Sequence, residues 1–167
     1  MKIKNAITIK KAKASDRTII QNLIVKSDIY HYNNCISFKN EFDNNPEKYN
    51  QQSLTLVDKI NISDFYIMNL KNIPIGTIMS WNNNGETTLI NFYIEKEYRN
   101  QGYGKILLNY VIKNMKTTYC VLSVFKENKT ALNFYYHFGF KFLQFEKTKS
   151  GDLFWLIYSK NKRSKGN

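Results

Sequence analysis

Arg99-Asn100-Gln101-Gly102-Tyr103-Gly104-Lys105 is the stretch from which the rest of the chain is read. A β-rich run, Thr87 to Ile94, precedes it, and a helical pattern from Ile106 to Met115 follows. A strand, a glycine-containing loop and a helix start in series aim several backbone N–H groups and the positive end of a helix dipole at one point, which suits a phosphate. Gly102 and Gly104 lack a Cβ, so a ligand can approach the backbone closely there, and Arg99 and Lys105 add positive charge. Two readings stand at this stage: a pyrophosphate cradle, or glycines that only shape a strand-to-helix turn. A Walker loop is excluded because Ile106 follows Lys105, and the dinucleotide fingerprint G-x-G-x-x-G is broken by Leu107.

Composition bounds what such a loop can serve. At 167 residues, 43% hydrophobic and 15% aromatic, the chain is long and apolar enough for one globular domain with a real core. We expect that domain over residues 1–160, with 161–167 as a basic, flexible tail. No apolar run approaches the ~20 residues that span a bilayer, so no membrane is expected. Ile7 to Lys10 alternates apolar and polar where a signal peptide would be continuously apolar, which makes the cytoplasm the default location. Cys35 and Cys120 form no C-x-x-C, and only His31 and His137 accompany them, so no metal site is expected and both thiols read as reduced packing residues. The net charge of +12 favours an anionic partner: a phosphorylated cofactor, nucleic acid or an acidic surface.

Ile3 to Lys13 alternates and reads as a first strand. Ser15-Asp16 looks like a helix N-cap before the apolar stripe Ile19, Ile20, Leu23 and Ile24, with the helix ending near Tyr30. Asn33 to Asp64 is polar and weakly patterned, which predicts short helices and loops, with a helical turn at Ser37 to Phe42 and a helix start at Asn45-Pro46. Phe65 to Leu70, Ile73 to Trp81 and Glu86 to Ile94 read as an antiparallel meander of second, third and fourth strands, the last turn carrying Asn84-Gly85. The helix after the loop should bury Leu107, Tyr110, Val111 and Met115. Tyr119 to Phe125 is a near-continuous apolar run, as in a central fifth strand covered on both faces. Asn128 caps a further helix that carries Ala131, Leu132, Phe134, Tyr135 and Phe138, and Gly139 is placed to end it in a left-handed conformation. Phe140 to Glu146 and Phe154 to Lys160 make a last strand pair joined through Ser150-Gly151.

Two stretches now resemble a known family. Arg99-x-x-Gly102-x-Gly104 after a strand resembles the acetyl-CoA-binding motif of the GNAT N-acetyltransferases, and Asn128-x-x-Ala131-x-x-Phe134-Tyr135-x-x-x-Gly139-Phe140 resembles their second motif. One helix and one strand lie between the two, as in the family, and the element order matches from Ile3 to Lys160. The resemblance implies an α/β (α+β) fold: a mixed, mostly antiparallel sheet of about seven strands, splayed between strands 4 and 5, with about four helices on both faces. It implies acetyl-CoA as co-substrate, no metal, an amine acceptor (a small molecule or a peptide or protein amine), and a monomer or homodimer. It places the backbone of Phe92, Tyr93 and Ile94 along the pantetheine and thioester. Arg99 and the backbone of Asn100, Gln101, Gly102, Tyr103, Gly104 and Lys105 fall on the pyrophosphate, and Asn128 on the cofactor or as its helix cap.

Amine acetylation needs a neutral nucleophile. A lysine-like amine has a pKa near ~10.4, so about one in a thousand is neutral at pH 7. The site must supply a base, directly or through water, steady the carbonyl oxygen and give the thiolate a proton. The resemblance places a phenol donor at Tyr135; Tyr136 would point about 100° away round the helix. For the base, the family's glutamate positions hold Ser123 and Thr88 here. Glu86, two residues before Thr88 and on its face, is the nearest carboxylate candidate, against a plain role closing the hairpin. Glu95 and Glu97 read as exposed charges, His31 as a lone histidine near the acceptor region, and His137 as a helix-terminus residue. Asp28, Glu41, Asp43 and Glu47 are candidates for an acidic acceptor pocket. Two other readings remain: a basic nucleic-acid-binding module, disfavoured by scattered basic residues and the lack of any nucleic-acid motif, and a catalytically inactive CoA sensor of the same fold.

Overall fold

The computed structural model describes residues 6–36, 61–149 and 151–160, together with positions 47, 51, 54, 55, 58 and 59. The expected helical turn at Ser37 to Phe42, the helix start at Asn45-Pro46, Glu41, Asp43, Ser150 and the 161–167 tail lie outside the described residues.

Seven strands form one sheet: β1 (Ile7–Lys11), β2 (Phe65–Leu70), β3 (Ile73–Asn83), β4 (Glu86–Ile94), β5 (Tyr119–Phe125), β6 (Lys141–Thr148) and β7 (Gly151–Ser159), in the spatial order β1-β2-β3-β4-β5-β7-β6. All neighbours are antiparallel except β4 and β5. Among the described residues there are three α-helices, α1 (Arg17–Asn34), α2 (Tyr103–Asn114) and α3 (Lys129–Phe138), plus three short 3₁₀ turns. The resemblance implies about four helices, against the three among the described residues.

Alternation along β2 sorts the helices. Phe65 and Ile67 face one side and join Ile20, Ile24 and Met79 in a cluster under α1. Met68, with Ile75 and Ile78 of β3, faces the other side and joins Leu107, Leu108 and Val111 of α2 and Leu132 and Tyr135 of α3. Helices thus cover both faces, and β5 is buried along most of its length, as its near-continuous apolar run requires, with Ser123 exposed. The α2 stripe is Tyr103, Leu107, Leu108, Val111 and Ile112, with Met115 buried just beyond the helix and Tyr110 half-buried.

Local chemistry sets the element ends. Asn84 and Gly85 both have positive φ (49° and 86°), as a tight twisted hairpin turn requires. Gly139 ends α3 at φ 113°, and its N–H donates to the carbonyls of Tyr135 and Tyr136. Asp16 behaves otherwise than expected. Its carboxylate accepts from Lys10 Nζ at 2.7 Å and from the Lys13 N–H at 2.9 Å, so it caps the preceding 3₁₀ turn, and α1 runs on to Asn34.

Candidate functional site

The parallel β4–β5 contact is brief. Only Thr87↔Cys120 and Thr88↔Val121 pair; beyond them the strands diverge. A buried threonine pair pins this apex: Thr87 Oγ1 lies 2.7 Å from Thr117 Oγ1, and Thr117 also donates to the Tyr119 carbonyl. From Leu89 and Leu122 onward, the edges that the two strands turn toward each other have no ladder partner. In β4 the register to β3 then slips by one residue, between Thr77↔Tyr93 and Met79↔Ile90, with Asn91 in the left-handed region at φ 52°. That is a bulge, which bends a strand and leaves an extra residue unpaired.

The gap opens into a cavity of about 880 Å³. Phe92, Tyr93, Ile94, Arg99, Asn100, Gly102, Gly104, Lys105, Asn128 and Tyr135 all line it. Glu86, Gln101 and Tyr103 are not in its wall. Glu86 opens β4 opposite Asn83. Gln101 is exposed and donates from Nε2 to the Glu97 carbonyl. The Tyr103 ring is buried against Tyr98.

At the cavity mouth the loop enters α2 through Gly102, at φ 87°, preceded by Asn100 at φ 60°. A Cβ on Gly102 would meet no protein atom within 4 Å, so the side from which a ligand would approach is open, while at Gly104 it would touch the Phe92 and Phe134 rings at 3.4 and 3.5 Å, leaving no room for a larger side chain. The first intrahelical bond runs from the Ile106 N–H to the Gly102 carbonyl, so the N–H groups of Tyr103, Gly104 and Lys105 have no acceptor within the helix. Arg99 has a structural task in addition. Its Nε donates to the Ile94 carbonyl at 2.8 Å, and its guanidinium lies 4.1 Å from the Tyr30 ring centre and 5.2 Å from that of Tyr93. With the Lys26–Glu95 ion pair, this ties α1 to the end of β4.

On the opposite wall Asn128 Oδ1 caps α3 by accepting from the Ala131 N–H at 3.0 Å, one of the two tasks the sequence allows. Tyr135 is 7% exposed and Tyr136 41%, so the helix turns the first into the cavity wall and the second to solvent. The Tyr135 ring is held by Phe134, Phe140 and Phe92, with centroids 5.3, 5.4 and 6.1 Å away. Burial, and to a lesser extent Cys120, pushes its phenol well above the ordinary tyrosine range, so it carries its proton at neutral pH.

A family model described as the acetyltransferase (GNAT) family matches residues 29–140. The chain belongs to the GNAT acetyltransferase family. A spermine/spermidine N(1)-acetyltransferase of Bacillus subtilis (strain 168) is 35% identical over 65 residues, covering 36% of this chain and 43% of that protein. A second relative, from Bacillus subtilis subsp. natto (strain BEST195), is 37% identical over the same length and coverage. The matched segment is thus less than half the length of these curated relatives. Among solved structures, Ard1 from Thermoplasma volcanium superposes with a TM-score of 0.69 at 16% identity, covering 94% of this chain and 99% of that one. The PaiA N-acetyltransferase from Thermoplasma acidophilum, in complex with coenzyme A, gives 0.66 at 23% identity, covering 92% and 99%. These superpositions show the GNAT fold.

The site of this GNAT chain fits a phosphorylated pantetheine. The helix-start N–H groups, Lys105 and the glycine surface match a pyrophosphate. The unladdered strand edges match an amide-bearing arm, much as an added strand would pair.

The same burial makes the fold base-sensitive. Burial pushes Cys35 up to about 11, with help from Glu127, and Cys120 up to about 12. Burial followed by Glu95 pushes Tyr93 up to about 12. Each group keeps its proton in the fold at a pH where the unfolded chain releases it, so the unfolded state binds fewer protons and stability falls as pH rises. The loss begins near ~8.5 to ~10, the unfolded thiol and phenol values, and continues toward the folded values, at roughly 1.4 kcal/mol per pH unit for each titrating group. Urea midpoints should therefore be flat from pH 7 to 8 and drop steadily from pH 9 to 11. A flat midpoint to pH 11 would show these groups to be solvated.

Proposed function

We propose that the chain transfers an acetyl group from acetyl-CoA to an amine by direct attack within a ternary complex. The observation that carries this is the splayed β4–β5 gap, which joins a helix-start anion site to a buried, protonated Tyr135 within one cavity. When bound, acetyl-CoA supplies an activated acetyl thioester. The Asn100–Lys105 loop holds the phosphates by backbone N–H groups, with Lys105 adding charge, while Arg99 fixes the loop to the end of β4. In the Phe92–Ile94 stretch, beyond the bulge, the backbone N–H groups on the edge turned away from β3 would steady the carbonyl oxygen, where negative charge develops. Tyr135 gives its hydroxyl proton to the departing sulfur; the apolar wall that keeps the phenol protonated also raises the affinity of a desolvated thiolate for a proton. Glu86 lies outside the wall, so this reading gives it no step.

The continuous sheet from Ile7 to Ser159 supports residues 1–160 as one domain, with the tail appended. No described helix is long and apolar enough to cross a membrane.

Polyamines are the first acceptor class to test. Two observations favour them: the described activity of the Bacillus subtilis relative, and the buried Asp28 carboxylate in the cavity wall of an otherwise strongly basic chain. The test is thiol release from acetyl-CoA over spermine, spermidine, amino acids, aminoglycosides and peptide amines. Turnover with an amine supports the reading. CoA binding with no release over the whole panel would favour a non-catalytic sensor.

A further inference from the structure

The cavity passes through the sheet between the splayed strands, and the proposed chemistry uses only part of its wall. α3 lines it from one face through Phe134, Tyr135 and Phe138, and α1 from the other through Ser27, Asp28 and His31. Spacings of three and four residues put these α1 side chains on one helical face. Ser27 and Asp28 are each 4% exposed. The His31 ring sits between Tyr30 and Phe125, with centroids 5.8 and 6.3 Å away, and its Nδ1 is buried with no hydrogen-bond partner. Of the two ring nitrogens only Nδ1 is buried without a partner, and the residue lines the cavity.

We propose that the α1 face of Ser27, Asp28 and His31 is the acceptor-amine subsite, and that Nε2 of His31 takes the ammonium proton. The proposal rests on the acetyl-transfer reading and deepens it. Nδ1 carries the ring hydrogen, and Nε2 presents its lone pair. One N–H bond of the ammonium breaks and an Nε2–H bond forms. The freed nitrogen lone pair then attacks the acetyl carbonyl carbon, and the carbon–sulfur bond breaks with its electron pair leaving on sulfur. Tyr135 gives that sulfur a proton and is restored by the second proton the nitrogen sheds on becoming an amide. The proton on His31 goes to solvent, so the turnover releases one proton in all.

The charged and titratable groups shown to act on the ring are Tyr30, edge-on at 5.8 Å, and Arg99; Asp28 lies one turn back on the same face of α1. Burial first, and Arg99 second, hold the imidazole below its ordinary range, so it is neutral at pH 7 with its lone pair available.

The test measures kcat and kcat/KM against pH for the full chain and for His31→Gln, with acetyl-CoA and the fastest amine of the panel, spermidine being tried first. Wild type should show an acid limb in kcat/KM with a midpoint below ~6.5. His31→Gln should lose about a hundredfold in kcat and lack that limb, with CoA affinity unchanged. Added imidazole should restore part of the activity of His31→Ala, which a purely structural role would not allow. Turnover of His31→Gln within twofold of wild type would overturn the proposal while leaving acetyl transfer intact. So would a wild-type profile without the acid limb, should the variants fail to fold. CoA binding with no turnover on any amine would remove the acetyl-transfer reading, and His31 as a base with it.

Discussion

Replacing Tyr135 with phenylalanine is expected to lower kcat about a hundredfold or more while leaving CoA affinity and stability close to wild type. The expectation follows from the packing. The ring is gripped by Phe92, Phe134 and Phe140, and those contacts survive loss of the hydroxyl. Among the described residues no hydrogen bond ties that hydroxyl, so its removal orphans no protein partner. The effect should therefore appear in the chemical step alone. A second signature sharpens it: with acyl donors whose thiol leaving group is more acidic, the deficit should shrink, because a stable thiolate needs no proton. Unchanged turnover in Tyr135→Phe would reduce the residue to core packing. Tyr136→Phe, one residue on and exposed, is the matched control.

Leu107→Ala should be the most damaging of the conservative core truncations, at about 3–5 kcal/mol. Leu107 is fully buried at the centre of the cluster that joins α2 to Met68, Ile75 and Ile78 of the sheet. The cavity left there cannot collapse easily, because β-sheet backbone forms one of its sides. For a chain of this size the thermal midpoint should fall by roughly 10 °C. The lesion also has a functional reach. Leu107 lies in the first turns of α2, whose N-terminus supplies the anion site, so loosening it should weaken CoA binding as well. Phe142→Ala, on the edge strand and 52% accessible, loses only its edge-to-face contact with Phe154 and should shift the midpoint by about 1–4 °C. Equal losses for the two variants would mean that the core is not centred on α2.

How far the sequence carried can be followed at particular residues. Asn84-Gly85 and Gly139 announced their turns because a left-handed backbone is a local demand that few residues meet. The apolar run of β5 declared a central strand, and the two motif stretches fixed the order of elements around it. What stayed hidden depends on contacts distant in sequence. Asp16 reads as a helix cap until Lys10 is seen reaching its carboxylate. Arg99 reads as a phosphate ligand, yet its guanidinium stacks on Tyr30, a residue far back on α1. Where the strands part, Thr87 of β4 meets Thr117 in the turn before β5, thirty residues on. One missed feature did leave a trace. Asn91 interrupts a β-rich run with a residue that favours left-handed conformations, and it marks the bulge beside the cavity. His31 showed as no more than a lone histidine, because its value rests on burial and on a missing partner.

A titration of the full chain shows whether the gap between β4 and β5 is a coenzyme A site. Thermal unfolding followed with increasing CoA should show a saturable rise, about 2.7 kcal/mol of added stability at a hundred times the Kd. Calorimetry should give one site per chain. The rise should be lost in Gly104→Val, whose side chain would enter the space now shared by Phe92 and Phe134. No shift with CoA or acetyl-CoA, together with a clear shift on adding single-stranded RNA or DNA, would rule out a coenzyme A site in the gap and make the basic surface the binding site.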